Sequence, residues 1–143
     1  MRFATALLSF ILPALAICDA AAQDATAPKV VVTPLASKTQ TATGQPILLP
    51  QKNVQVVVSS FEIPVGAKLP VHKHPFARYA YVEAGTLEVT AVESGKSNVY
   101  KAGDFIVEMI DQWHRAANIG SDAVKLIVID QIEAGAQNTI LQQ

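Results

Sequence analysis

The chain has almost no cysteine, few aromatic residues and no run of charge of one sign. Its only cysteine is Cys18, so an intrachain disulfide is excluded and stability must come from packing or from a bound metal. The 11 basic and 12 acidic residues are scattered and leave a formal net charge of −1, so neither nucleic acid nor an anionic membrane surface is an expected partner. This composition favours a small-molecule partner.

Residues 1–22 have the pattern of a secretory signal peptide. A basic Arg2 is followed by an apolar run and then by small residues that precede a cleavage point after Ala22. The apolar run is too short to span a bilayer comfortably, so no membrane association is expected after cleavage. The remaining 121 of the 143 residues are enough for one periplasmic or secreted domain. Lipidation at Cys18 is a minor alternative, because the bulky Ile17 before it fits a lipoprotein signal poorly.

Proline sets an N-terminal arm apart from the rest of the chain. Residues 23–52 contain four prolines and two short apolar runs, at 30–32 and 47–49. Proline excludes a long helix and confines such runs to edge strands or extended segments. The arm is therefore either a flexible leader or a segment that pairs with another subunit.

Short strand patterns fill residues 53–135. They are separated by Gly-centred turns, which is typical of an all-β sandwich or barrel. No segment shows a sustained period of 3.6 residues. We therefore predict an all-β domain over residues 53–135 and a C-terminal tail at residues 136–143. The predicted strands are NVQVVVSSF, RYAYV, TLEVTAV, SNVYK, DFIVEMI and VKLIVID.

The chain contains only three histidines, His72, His74 and His114. Side chains two positions apart in a strand lie on the same face, so the first two can hold one ion at about 2.0–2.1 Å from inside a barrel. His114 lies near the start of another predicted strand and could supply a third ligand. Three neutral nitrogen ligands with open coordination positions favour a divalent transition metal (Fe, Mn, Ni, Cu or Zn) over Ca or Mg.

Two spaced motifs resemble those of the cupin superfamily, in particular its small, conserved-barrel, quercetin-dioxygenase-like members. The first motif is matched by Gly66, His72, His74, position 78 and Gly85. The second is matched by Gly103, His114 and Asn118, with Met109 and Asp111 in place of the usual Pro and Gly. The resemblance covers residues 66–118 and implies a cupin-type jelly-roll barrel of six to eight strands, often a homodimer, with a metal inside. Aspartate at the glycine position is tolerable, because aspartate adopts left-handed conformations more easily than most residues.

Arg78 departs from the first motif, since metal-binding cupins have a glutamate ligand at this position. Strand parity points Arg78 inward with the first two histidines. A +2 ion about 6 Å from its guanidinium would be repelled by roughly 5–6 kcal/mol at an effective dielectric of about 20. Four explanations stay open. Arg78 turns to solvent or to an internal carboxylate; it binds an anionic substrate together with the metal; it has replaced the metal; or a bulge turns Tyr79 inward. The internal carboxylates considered are Glu83, Glu108 and Asp111.

The resemblance implies either a metalloenzyme or a binding module. Some cupins, among them thiol and gentisate-type dioxygenases, bind iron with three histidines and no carboxylate, and those with a nearby arginine use it on the substrate carboxylate. By this resemblance we expect a dioxygenase-like activity on a small anionic substrate, with Arg78 as the catalytic residue that orients it. The alternatives are a non-catalytic module that sequesters a metal or small molecule, and a structural barrel with an empty pocket. Asn118 is expected to fix a turn, and Trp113 to pack outside the pocket.

Overall fold

Alternating hydrophobic residues produce an all-β domain in the computed structural model, which describes residues 28–143. The predicted signal peptide lies outside the described residues, so export stays a prediction. The described part of the chain contains no helix that could cross a membrane. Within residues 28–143 the strands are β1 (Val54–Ile63), β2 (Lys68–Lys73), β3 (Arg78–Ala84), β4 (Thr86–Ala91), β5 (Ser97–Lys101), β6 (Phe105–Val107), β7 (His114–Asn118), β8 (Val124–Glu133) and β9 (Ile140–Leu141).

The strands form two antiparallel sheets whose inner faces share one core. One sheet has the order β1-β8-β3-β6, and the other has the order β5-β4-β7-β2-β9. Because side chains alternate along each strand, buried Val82 and Val128 of the first sheet lie in one cluster with Leu87 and Val89 of the second. This packing of two sheets with crossing connections confirms the predicted all-β jelly-roll.

Each of the six predicted strands overlaps an observed strand, but most differ from it at one or both ends. SNVYK coincides with β5, whereas DFIVEMI contains only the three residues of β6. The chain leaves the first sheet there: Glu108 N still donates to Arg78 O at 2.9 Å, but Ile110 forms a bridge with His74 beside the second sheet. The tail was too short for a prediction from the sequence, and in the structure its strand β9 pairs with the end of β2 at Lys73.

The N-terminal arm contributes a docked turn rather than the expected edge strands. Neither of its apolar runs belongs to a strand. Within residues 41–46, Ala42 N donates to Val107 O at 2.8 Å, at the end of β6. The side chain of Gln45 donates to Ile110 O at 2.8 Å and accepts from Ile110 N at 3.0 Å. The arm therefore supports the loop that connects β6 to β7, while its pairing with another subunit and a homodimer stay predictions.

Asn118 and Asp111 have the structural roles that the sequence predicted for them. The Asn118 amide donates to Ile63 O at 2.9 Å and to Asp122 O at 2.8 Å, and so fixes the turn before β8. Asp111 replaces the usual motif glycine and has a φ of 55°, in the left-handed region. Its carboxylate also lies 2.7 Å from Lys73 Nζ, which ties the β6–β7 loop to β2.

Gly85 joins β3 to β4 at a point where a side chain has no room. Its φ is +81°, and a Cβ there would lie 2.8 Å from both the carbonyl oxygen of Ala123 and the Cα of Val124. Gly95 has a similar φ of +67°, but a Cβ there would have no atom within 4 Å. A comparison of substitutions at the two glycines therefore separates the cost of backbone strain from the cost of close packing against β8.

Gly85→Ala is expected to lower the free energy of unfolding by about 3 kcal/mol, because overpacking adds about 1–3 kcal/mol to about 1–2 kcal/mol of left-handed strain. Gly95→Ala, the matched control, should lose only the strain of about 1–2 kcal/mol. Equilibrium denaturation of both variants measures the difference. Equal losses would show that contact with β8 does not constrain this turn.

Candidate metal centre

The three histidines come together inside the barrel from two neighbouring strands. His72 lies in β2, His74 follows the end of β2, and His114 begins β7 directly opposite His72. Their ring centroids are 4.4 to 4.9 Å apart, and one nitrogen from each ring lies within 4.8 Å of the other two. The structure thus brings together all three residues that the sequence analysis selected as ligands.

Main-chain carbonyls fix the tautomer of all three rings. The Nδ1 atom of His72 contacts Pro70 O at 2.7 Å, that of His114 contacts Gln112 O at 2.8 Å, and that of His74 contacts Asn138 O. A carbonyl oxygen can only accept a hydrogen bond, so each Nδ1 carries the hydrogen and each Nε2 keeps its lone pair. Three oriented Nε2 lone pairs are a donor set suited to a transition metal.

Burial affects all three imidazoles, and it keeps His72 in a state that can bind a metal. His74 and His114 are both 0% exposed. Burial lowers the pKa of His72 to about 4, against the smaller opposing effect of its bond to Pro70 O, so the ring is neutral at pH 7. His114 Nε2 is buried and has no hydrogen-bond partner. An unpaired buried acceptor of this kind fits a metal ion that the structure would hold here.

Glu108 adds a carboxylate that the sequence analysis did not assign as a ligand. Its Oε2 lies 3.1 Å from His114 Nε2 and 3.4 Å from His74 Nε2. Burial favours the neutral acid, but contacts with His114 and then His74 outweigh it and hold the pKa of Glu108 well below its ordinary value. Burial also disfavours protonation of His114, yet the Glu108 carboxylate raises the pKa of His114 overall. The gap between these atoms therefore favours a positive charge. Glu108 lies two positions after the inward-facing Ile106, so strand alternation was the signal that could have identified it as an inward side chain.

Arg78 faces inward, as predicted, but it forms a buried ion pair with Asp130. Its Nε donates to Oδ1 at 2.7 Å and its Nη2 donates to Oδ2 at 2.9 Å, because β3 and β8 pair in a register that places the two residues opposite each other. Its Nη1 lies 3.4 Å from His74 Nε2. An internal carboxylate is therefore the observed partner of Arg78. That partner is Asp130, and the predictions of Glu83, Glu108 and Asp111 were wrong because they took no account of the β3–β8 register.

Tyr79 points away from the histidines, so the predicted alternative of an inward Tyr79 is wrong. The register of β3 with β8 is continuous from Arg78 through Tyr79, without a bulge. The Tyr79 hydroxyl donates to Gln131 at 2.9 Å, and its ring stacks on Phe105 with centroids 6.0 Å apart. Both contacts lie on the outer face of the sheet.

The space inside the barrel beside the histidines is small. Its volume is about 20 Å³, and its lining is mostly apolar, with polar groups from His72, His114, Arg78 and Glu108. Such a volume admits about one water-sized group. A larger depression of about 500 Å³ lies outside, next to Trp113, and none of the three histidines lines it. The chemistry of the donors, and not the size of the cavity, locates the candidate site.

Comparison with solved structures shows the same fold in several proteins, whereas no curated protein sequence matches the chain. The polyketide cyclase RemF from Streptomyces resistomycificus has a TM-score of 0.53 and 16% identity over 68% of this chain and 70% of its own. The formate complex of Lactobacillus farciminis oxalate decarboxylase has a TM-score of 0.52 and 22% identity over 60% of this chain and 26% of its own. The DMSP lyase DddQ from Ruegeria pomeroyi has a TM-score of 0.52 and 18% identity over 61% of this chain and 43% of its own. These similarities support the fold alone.

One protein-family model matches about half of the chain. The family model of the cupin domain matches residues 59–130. The match begins within β1 and ends at Asp130 of β8, and it includes the three histidines and Arg78. Together with the two-sheet barrel, it shows that the chain belongs to the cupin family.

Proposed function

We propose that this cupin domain binds one divalent transition metal through His72, His74 and His114, as the centre of a dioxygenase-like enzyme for a small anionic substrate. The observation that carries the proposal is the convergence of three Nε2 lone pairs, of which that of His114 is buried without a hydrogen-bond partner. An unsatisfied buried acceptor costs about 1–3 kcal/mol, which metal binding would recover. Neutral imidazoles suit Fe, Mn, Ni, Cu or Zn, and such a metal supplies a Lewis acid or an oxygen-binding centre.

The pairing of Arg78 with Asp130 removes the main electrostatic objection to a cation. An unpaired guanidinium about 6 Å from a +2 ion would repel it by roughly 5–6 kcal/mol at an effective dielectric of about 20. Here the bidentate carboxylate of Asp130 offsets the charge of Arg78, and Glu108 adds a further negative charge beside the histidines. These contacts argue against the explanation that Arg78 has taken the place of the metal.

A small carboxylate is the substrate class that best fits the inside of the barrel. The cavity of about 20 Å³ admits about one water-sized group, so only the smallest anions could enter it. Asp130 occupies two of the three guanidinium nitrogens of Arg78, and Nη1 remains on the side of His74. This nitrogen could donate to one oxygen of a bound anion. The oxalate decarboxylase of the same fold, which was solved with formate, offers a precedent for an anion of this size.

The same narrow cavity favours a second candidate function, a module that binds metal without turnover. A centre lined mostly by apolar side chains and of about 20 Å³ leaves little room for a substrate. In both cases we propose that the mature protein acts in the periplasm or after secretion, as the predicted signal peptide implies. Turnover of small carboxylates by the metal-loaded protein distinguishes the two candidates.

The mature protein, purified from its export compartment, is expected to contain about one transition metal ion per chain. His72→Ala should lose that metal, because only two of the three imidazole ligands remain. Elemental analysis of both proteins measures the content. Arg115→Ala is the control, since Arg115 is exposed on β7 next to His114. A metal-free parent, or a His72→Ala variant that keeps its metal, would contradict the proposed centre.

Arg78→Lys is expected to weaken formate binding to the cobalt-loaded protein about tenfold. A lysine ammonium lacks the planar fork that can bind Asp130 and a substrate oxygen at the same time. The visible absorption of Co²⁺ during a formate titration reports the affinity, and Arg115→Lys is the charge-matched control. Equal formate affinities in the parent and in Arg78→Lys would show that Arg78 does not hold the anion.

A further inference from the structure

We propose that Glu108 is a further ligand of the metal centre and shares the ion with His74 and His114. This inference rests on the proposed function, because it concerns the same ion. Glu108 directly follows β6 and lies next to Arg78, the first residue of the neighbouring strand β3.

The distances around Glu108 are those of ligands that share one ion. Two ligand atoms about 2.1 Å from a metal lie about 3.0 Å apart at a right angle and about 3.4 Å apart at a tetrahedral angle. Glu108 Oε2 is 3.1 Å from His114 Nε2 and 3.4 Å from His74 Nε2. One ion can therefore contact this oxygen and both nitrogens with ordinary bond lengths.

The hydrogen-bond chemistry requires a cation in the same gap. In the neutral His114 ring Nδ1 donates to Gln112 O, so Nε2 has a lone pair and no hydrogen to offer Glu108. A carboxylate oxygen also only accepts, so the two atoms repel each other at 3.1 Å unless a positive charge lies between them. A proton could serve one nitrogen–oxygen pair at a time. A metal ion serves the Glu108 oxygen and the Nε2 atoms of His74 and His114 together.

The backbone explains how Glu108 reaches this position. Glu108 N donates to Arg78 O at 2.9 Å, so the two residues are neighbours across the edge of the sheet. Both side chains project inward, and Arg78 turns to Asp130 on its other side. The volume beside His74 and His114 is then left to the Glu108 carboxylate.

The test compares metal affinity in Glu108→Gln with that of the parent and of Glu83→Gln, a control that removes one exposed carboxylate of β3. Glu108→Gln is expected to bind Co²⁺ or Zn²⁺ at least tenfold more weakly, since loss of groups that support a metal ligand already costs about 10- to 100-fold. Competition with a chromophoric chelator measures the affinity. The Co²⁺ absorption spectrum at saturating metal should also shift in Glu108→Gln and stay unchanged in Glu83→Gln.

The outcomes separate this inference from the proposed function. If the parent binds metal and His114→Ala does not, but Glu108→Gln binds as tightly as the parent with the same Co²⁺ spectrum, Glu108 is no ligand and the three-histidine site stands. If the parent binds no metal, both proposals are overturned. Should Glu108→Gln fail to fold, Glu108→Asp decides, because its shorter side chain moves the oxygen: a shifted spectrum supports ligation and an identical one overturns it.

Discussion

Three imidazoles can share one ion only if their lone pairs are directed to one point, and main-chain carbonyls provide that direction here. For His72 and His114 the acceptor lies two residues earlier in the chain, so local strand geometry is sufficient. His74 instead depends on Asn138, which lies 64 residues later. The pairing of β9 with β2 anchors the segment that carries Asn138 beside the cluster. The C-terminal tail is thus part of the candidate metal centre.

Asn138 also connects the histidine cluster to the ion pair that neutralises Arg78. Its carbonyl accepts from His74 Nδ1, its amide donates to Asp130 Oδ1 at 2.6 Å, and its side-chain oxygen accepts from Phe76 N at 2.8 Å. A buried ion pair recovers its desolvation penalty only when its remaining acceptors are also satisfied. The additional bond to Asp130 meets that condition. An arginine beside a candidate cation site is therefore tolerated because two further residues, one from β8 and one from the tail, compensate for its charge.

The sequence predicted what depends on short-range periodicity and could not predict what depends on strand order. The shared face of His72 and His74, the left-handed Asp111 and the all-β class follow from local rules. The choice of Asp130 as partner of Arg78 follows from the register of β3 with β8, which the sequence does not specify. For Glu108 only one part was predictable. Strand alternation indicates that its side chain points inward, but its approach to the histidines depends on where the chain leaves the sheet after β6.

The loop between β6 and β7 fixes the orientation of His114 and is itself held by the N-terminal arm. The Gln112 carbonyl holds His114 Nδ1 at 2.8 Å, while the Gln112 side chain accepts from Thr43 of the arm at 2.9 Å, beside the outer depression. Gln45 holds Ile110, the residue next to Asp111, through both of its backbone polar groups. A movement of this loop away from β7 would break the bond between Gln112 O and His114 Nδ1. By holding the loop through Gln45 and Thr43, the arm therefore helps to keep the His114 lone pair directed at the candidate metal site.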